Sequence, residues 1–203
     1  MSRICVGIFV GLGVSALMLP HAVAAQADEK PPVVILETSM GKITIELNKE
    51  KAPITVENFL KYVDAGFYDN LIFHRVMSDF MVQGGGLDKE MKEKSEGQRG
   101  MIKNESGNGL SNARGAIAMA RTSDPNSAQN QFFINTVDNE RLDTLGGGYA
   151  VFGKVIDGMD VVDKIRKVKT TKRIGQVGND EVPMENVPVE PVIIKSAKRK
   201  GKE

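Results

Sequence analysis

The chain contains 203 residues, of which 27 are Lys or Arg and 26 are Asp or Glu, so its formal net charge at pH 7 is +1. This balance gives no electrostatic reason to expect nucleic acid or an anionic membrane as the main partner. The sequence holds a single cysteine, Cys5, and two histidines, which leaves little scope for disulfides or for a metal site built from several histidines.

The first 25 residues have the layout of a secretory signal peptide. Arg3 precedes an apolar run over residues 4–19, and small residues follow at 22–25. A retained membrane anchor is the alternative, but it needs roughly 20 apolar residues, and this run ends earlier, at Pro20. We therefore expect cleavage and no stable membrane insertion. Cleavage could follow Ala24, Ala25 or Ala27.

Removal of this segment changes the composition of the mature chain. It takes away Cys5, and a cysteine-free chain suits an oxidising compartment because nothing can mispair. It also takes away Arg3 and no acid, which leaves 26 residues of each charge. We expect residues 1–25 to be the cleaved signal, 26–32 a short lead-in, and 33–203 one folded domain in the periplasm.

The first predicted elements of this domain are a β-hairpin and a helix. Residues 33–38 and 42–47 read as two strands joined by a tight turn. A helix is predicted over 53–65, because Pro53 suits a first helical turn and Gly66 suits a helix end. Its apolar stripe consists of Val56, Phe59, Leu60 and Val63.

Residues 73–86 contain two short apolar runs on either side of Ser78, which predict two strands with a tight connection. Arg75 and Gln83 stand out in these runs, because a buried cation or amide must find a partner or face a cleft. An ordinary alternative is an arginine paired with an acid at a sheet edge. By strict alternation, Phe73 and Met77 share the face of Arg75, His74 and Val76 take the opposite face, and Met81 shares the face of Gln83.

The rest of the chain predicts further short strands and one more helix. Residues 86–115 predict a long surface excursion, and residues 169–188 predict a long loop. A second helix is expected over 159–168. The remaining strands are predicted over 116–120, 131–135, 151–156 and 191–197. Many short strands with two helices indicate an all-β barrel or sandwich.

Four sequence blocks in series resemble the cyclophilins, the peptidyl-prolyl isomerases. They are FHRV at 73–76, FMVQGG at 80–85, NQFFIN at 130–135 and VFGKV at 151–155. The resemblance runs from about residue 33 to the end of the chain. It implies an eight-stranded antiparallel barrel capped by two helices. It also implies rotation about X–Pro peptide bonds, a reaction that needs no nucleophile, metal or cofactor. With the predicted signal peptide, the expected substrates are exported polypeptides.

The same resemblance assigns roles to individual residues. Arg75 is expected to donate to the prolyl nitrogen as the amide twists, and Gln83 to hold the substrate backbone and help position Arg75. Phe80 is expected to form part of the proline pocket, and backbone groups of Ala120 and Arg121 to pair with the peptide. The other expected binding residues are Met81, Gln131, Phe133, Leu142 and Tyr149, whereas Phe132 and Ile134 are assigned to the core.

Two positions depart from the best-known eukaryotic cyclophilins. Arg141 stands where a tryptophan is expected, and Tyr149 replaces a histidine near the pocket mouth. With the signal segment, these changes resemble the exported bacterial branch and predict only weak binding of cyclosporin. The expected partners are proline-containing unfolded or partly folded polypeptides and not nucleic acid, and we expect a monomer.

A second hypothesis comes from a different functional class. The chain is then a proline-peptide binding or holdase module whose isomerase turnover is incidental, with residues 86–115 or 169–188 as the partner surface. A protease-coupled peptide assay separates the two hypotheses, because only an isomerase accelerates the exchange of the X–Pro bond.

Overall fold

The computed structural model describes Met1 and residues 30–201, so the predicted signal peptide beyond Met1 and most of the lead-in lie outside the described residues. The strands are β1 (Val33–Thr38), β2 (Gly41–Leu47), β3 (Leu71–Met77), β4 (Met81–Asp88), β5 (Ala116–Met119), β6 (Phe132–Asn135), β7 (Val151–Asp157), β8 (Thr170–Val177), β9 (Asp180–Pro188) and β10 (Ile193–Arg199). The helices are α1 (Pro53–Asp64) and α2 (Met159–Ile165). Among the described residues, no helix is long and apolar enough to span a membrane.

Eight of the strands form a closed barrel in the order β1-β10-β3-β4-β6-β5-β7-β2, and every neighbouring pair is antiparallel. Side chains alternate between the barrel interior and its outer surface. On β2, for example, Ile43, Ile45 and Leu47 are fully buried in the main core. The barrel and the two helices confirm the predicted all-β, eight-stranded fold.

Helix α1 packs its apolar stripe into the same core. The ring of Phe59 lies 5.6 Å from that of Phe132 and 5.1 Å from that of Phe152, measured between centroids. The first turn is capped from a distant loop, because the Thr55 N–H donates to the Glu105 carboxylate at 2.7 Å. The predicted stripe is buried as expected at Val56, Phe59, Leu60 and Val63.

The alternation predicted for β3 is wrong at one position. The register of β3 against β4 shifts between Leu71 and Phe73 and again between Phe73 and Arg75. Phe73 therefore lies in the barrel core, with its ring 6.2 Å from that of Phe132, whereas Arg75 and Met77 lie on the outer surface. Strict alternation cannot anticipate such irregularities, because an extra residue reverses the face of everything beyond it.

The long loop predicted over residues 169–188 is also wrong, because this segment forms the β8–β9 hairpin. Its turn consists of Gly178 and Asn179, and Gly178 adopts a φ of 58°. A Gly-Asn pair is a recognised hairpin signal, but the many charged residues and Pro183 obscured the strands on either side. The hairpin packs beside β3 and β4 through a cluster of Ile72, Leu87, Met91 and Val187, with Met184 and Ile193 packed against it.

His74 of β3 is buried, and its Nδ1 has no hydrogen-bond partner among the described residues. Burial, with a smaller contribution from the neighbouring Arg75 charge, lowers the pKa of His74 from 6.5 to about 4. Between these two pKa values, His74 is therefore protonated in the unfolded chain and neutral in the folded protein. Stability should fall as the pH drops from about 6.5 toward 4, by about 3 kcal/mol in total at about 1.4 kcal/mol per pH unit.

We expect urea unfolding at a series of pH values to reveal this dependence. The comparison is made between about pH 7 and pH 5, because carboxylates dominate at lower pH. Wild type should lose about 2 kcal/mol of unfolding free energy over that range, and His74→Gln should show a shallower slope. Equal slopes in the two proteins would mean that His74 is not the titrating group.

Candidate functional site

A cavity of about 200 Å³ opens on the outer surface of the barrel where β3, β4 and β6 run side by side. Nine of the ten predicted site residues line it: Arg75, Phe80, Met81, Gln83, Ala120, Arg121, Phe133, Leu142 and Tyr149. The tenth, Gln131, joins the site through a hydrogen bond, because its Oε1 accepts from Gln83 Nε2 at 2.9 Å. The fold thus brings the predicted residues together.

Strand register explains why residues far apart in the sequence meet here. Arg75 is opposite Gln83 across β3 and β4, and Gln83 is opposite Phe133 across β4 and β6. Neighbouring strands lie about 4.8 Å apart, and side chains at opposed positions point to the same face. A cation, an amide and an aromatic ring therefore form one row across the outer surface.

The floor of the cavity is apolar. Met81, Phe133 and Leu142 are each no more than 6% exposed and belong to a hydrophobic cluster separate from the barrel core. Phe80 is half-buried and packs against the same cluster. A small apolar ring placed here would leave water, and its binding would be stabilised in proportion to the apolar area that it buries.

Arg75 presents a cation to this floor without an acidic partner. Its Nη2 contacts the Met77 sulfur at 3.4 Å, and no carboxylate of the described residues lies within ion-pair distance. The alternative of an ion pair at a sheet edge is wrong, because β3 lies between β10 and β4 in a closed barrel. The half-buried guanidinium thus keeps most of its donors for a ligand. Among the described residues, no Asp, Glu or His lines the cavity.

The orientation of Gln83 depends on space left at Gly86. A Cβ built on Gly86 would lie 2.6 Å from Gln131 Nε2 and 2.7 Å from Gln131 Cγ, which is too close for any real contact. A side chain at this position would displace Gln131 and with it the acceptor for Gln83. This role could not be predicted from the sequence, because Gly86 is the last of three successive glycines and chain order does not relate it to Gln131.

Arg121 has a side-chain role that sequence reasoning missed. Its guanidinium stacks on the Tyr149 ring, 4.2 Å from the centroid. The same group donates to the carbonyl oxygens of Thr122, Leu145, Gly146 and Gly148 at 2.8–3.1 Å. Arg121 therefore fixes the loop that carries Tyr149. The N–H of Ala120 donates to the Gln131 carbonyl at 2.9 Å and is not available to a peptide.

Asp143 holds the other end of this loop. It accepts hydrogen bonds from the Ser111 hydroxyl at 2.6 Å and from the Asn112 N–H and side-chain amide at 2.8 Å. Burial acts to raise the pKa of Asp143, but these hydrogen bonds outweigh it and hold the pKa below its usual value. Leu142 is thereby kept at the cavity floor, while the neighbouring Arg141 is exposed.

Comparisons with known proteins identify the family to which the chain belongs. The family described as cyclophilin type peptidyl-prolyl cis-trans isomerase/CLD matches residues 33–199. Peptidyl-prolyl cis-trans isomerase A of Dickeya dadantii is 51% identical, covering 81% of this chain and 83% of that protein. Peptidyl-prolyl cis-trans isomerase B of Escherichia coli is 50% identical, covering 80% of this chain and 99% of that protein.

Solved structures agree in fold. A cyclophilin type peptidyl-prolyl cis-trans isomerase of Cryptosporidium parvum superposes with a TM-score of 0.67 at 24% identity, covering 85% of this chain and 99% of that one. The same parasite protein, determined in the presence of the dipeptide Ala-Pro, superposes with a TM-score of 0.66 at 25% identity, covering 84% and 99%. The family match spans nearly all of the described barrel and includes every residue of the cavity. The chain therefore belongs to the cyclophilin-type peptidyl-prolyl cis-trans isomerases and is an enzyme of that class.

Proposed function

We propose that this isomerase acts on exported polypeptides and that Arg75 stabilises the twisted X–Pro amide during rotation. Resonance gives the amide a barrier of roughly 18–20 kcal/mol. As the bond twists, the nitrogen lone pair is no longer delocalised, and the prolyl nitrogen becomes a better hydrogen-bond acceptor. A guanidinium aimed at that nitrogen binds the twisted form more tightly than either planar form, which lowers the barrier.

The single observation that carries this assignment is the Arg75 guanidinium, which lies beside an apolar floor and has no acidic partner in the described chain. A hydrogen bond from a charged donor contributes roughly 1.5–3 kcal/mol, or about ten- to a hundredfold in rate. The rest of the acceleration must come from positioning. The prolyl ring would occupy the floor formed by Phe80, Met81, Phe133 and Leu142, while Gln83 would hold the adjoining backbone.

Several observations support proline-containing polypeptides as substrates. The cavity is small and its floor is apolar, which suits a prolyl ring. The Cryptosporidium relative was determined in the presence of a dipeptide that contains proline. Rotation about the X–Pro bond makes and breaks no covalent bond and needs no proton transfer, and no carboxylate or imidazole lines the described cavity. A holdase needs only the apolar floor, whereas an isomerase also needs a donor for the twisted amide, so the Arg75 cation beside that floor favours the isomerase.

The export of the protein is proposed from the composition of residues 1–25. A tagged full-length chain produced in a Gram-negative host should be recovered from the periplasmic fraction. Mass spectrometry of the intact protein should place its first residue at position 25, 26 or 28, after Ala24, Ala25 or Ala27. Recovery from the cytoplasm with residues 1–25 still attached would rule out export by this signal.

Cyclosporin should inhibit this enzyme only weakly. Arg141 stands where the drug-sensitive cyclophilins are expected to have a tryptophan, and it is exposed beside Leu142 at the cavity. Burying a guanidinium against a mostly apolar macrocycle would leave its donors short of partners, which is costly. A short peptide occupies the pocket floor and need not cover this residue. We expect Arg141→Trp to increase sensitivity to the drug about three- to tenfold, with little change in peptide turnover.

The measurement is the inhibition constant of cyclosporin for both proteins with one peptide substrate. Arg141→Leu is the matched control, because it removes the charge without adding an indole ring or its N–H. The placement of Arg141 beside the drug would be wrong if wild type were already inhibited at nanomolar drug. It would also be wrong if the tryptophan variant gained no more than the leucine variant.

A further inference from the structure

A second cavity, of about 430 Å³, lies directly beside the proline pocket. The two cavities share Phe80, which lines both of them. Met77 gives a second link, because it lines the second cavity while its sulfur contacts the Arg75 guanidinium at 3.4 Å. A peptide advances about 3.3 Å per residue when extended. A substrate residue one or two positions from a bound proline is therefore the candidate occupant of a cavity that adjoins the proline pocket.

Elements from distant parts of the chain build the second cavity. The β3–β4 connection supplies Ser78 and Asp79, the end of α2 supplies Arg166 and Lys167, and the β8–β9 hairpin supplies Asn186. Asn186 adopts a φ of 59°, a left-handed conformation that is uncommon for residues other than glycine. The hairpin that was unforeseen from the sequence thus forms one wall of a cavity at the active site.

Basic side chains outnumber acidic ones among the residues that line this cavity. The Arg166 guanidinium is engaged, because it pairs with Asp163 at 2.8 Å and Asp79 at 3.6 Å and donates to the Ser78 carbonyl at 2.9 Å. Lys167 is exposed, and no acid among the described residues pairs with it. The segment 164–173 carries six Lys or Arg and no acid. The charged residues that line the cavity are therefore two cations, Arg166 and Lys167, and one exposed carboxylate, Asp79, which leaves a net positive charge.

We propose that this second cavity is a subsite for a substrate residue that flanks the proline, and that Lys167 makes it favour a carboxylate side chain. The proposal rests on the proposed function, since it assumes that the bound proline occupies the pocket beside Arg75. The cavity adjoins that pocket at Phe80, which lines both, and the polar side chains of Thr170 and Asn186 on its wall suit a hydrated acidic group. The favoured polypeptides would then carry Asp or Glu near the proline.

The test uses peptides that differ at one position only. Four positions are varied, namely the two before and the two after an X–Pro pair, and each peptide carries Glu, Gln or Lys at one of them. For each peptide, kcat/KM is measured by NMR exchange. A single solvent-exposed charge pair changes binding modestly, so one flanking position should favour Glu over Gln by about two- to fivefold. The preference should appear in KM rather than in kcat, because the ion pair is the same in the planar and twisted forms.

Charge reversal supplies the decisive comparison. Lys167→Glu should invert the preference at that position, so that the Lys peptide becomes better than the Glu peptide, and high salt should weaken the preference in both proteins. Lys200→Glu is the matched control, since Lys200 is an exposed lysine that lines neither cavity. It should leave the wild-type preference unchanged.

The outcomes separate this subsite from the isomerase mechanism itself. If wild type accelerates exchange of every peptide but no position shows a preference for Glu, the subsite is overturned and the isomerase function stands. The subsite is also overturned if Lys200→Glu shifts the preference as much as Lys167→Glu does. If wild type accelerates none of the peptides, the failure lies in the proposed function.

Discussion

Replacing Arg75 by alanine is expected to lower kcat/KM for an X–Pro peptide by about ten- to a hundredfold, because the charged donor proposed for the prolyl nitrogen is lost. The loss should appear in kcat as well as in kcat/KM, since the hydrogen bond forms only as the amide twists. Arg75 lies on the outer surface of the barrel, so the core should remain intact. Circular dichroism and the urea midpoint should stay near those of wild type.

Arg75→Lys separates charge from geometry. Lysine keeps the positive charge but lacks the planar fork of donors, so it should restore activity only in part. The Lys200→Ala protein serves as a control for removing a cation elsewhere, because Lys200 lines neither cavity. Near-normal turnover in a folded Arg75→Ala protein would remove Arg75 from the mechanism.

Replacing Gly86 by alanine should lower kcat/KM by about two- to tenfold, the value of one neutral hydrogen bond. The added methyl group would meet Gln131 at 2.6–2.7 Å. Gln131 would have to move, and the hydrogen bond from Gln83 Nε2 to Gln131 Oε1 would be lost. Gln83 would then no longer be held in place to bind the substrate backbone. The measurement is kcat/KM by NMR exchange.

Two comparisons show whether Gly86 acts through Gln131. Gly100→Ala is the matched control, because a Cβ at Gly100 meets nothing within 4 Å. In the Gln131→Ala background, the Gly86→Ala change should have almost no further effect, because the displaced side chain is already gone. An undiminished effect in that background would mean that Gly86 acts by some other route.

Much of the fold could be predicted from the sequence, because hydrophobic periodicity records which face is buried. The strands β1 and β2 and the helix α1 follow their patterns to within a residue or two. The β3 irregularity could not be predicted, since register shifts depend on the pairing with β4. The β8–β9 hairpin is largely exposed, so its strands lack the apolar alternation that a buried sheet imposes.

The site, like the fold, could be predicted from the sequence only in part. Its members could be placed because four sequence blocks resemble one family, and the barrel brings those blocks onto neighbouring strands. Contacts between side chains from separate blocks could not be placed. The stack of Arg121 on Tyr149 and the space at Gly86 for Gln131 both depend on how loops and strands meet. The second cavity could not be predicted either, because the hairpin forms one of its walls.

In the proposed mechanism, charge stabilisation by Arg75 accelerates rotation without proton transfer. The most direct test is NMR exchange on one X–Pro peptide with wild-type protein between about pH 6 and pH 9, a range over which arginine stays protonated. We expect the cis and trans signals to exchange far faster than the uncatalysed time of tens to hundreds of seconds, with kcat/KM unchanged by pH. A bell-shaped profile, or a single transition near pH 6.5 that disappears in His74→Gln, would contradict the claim.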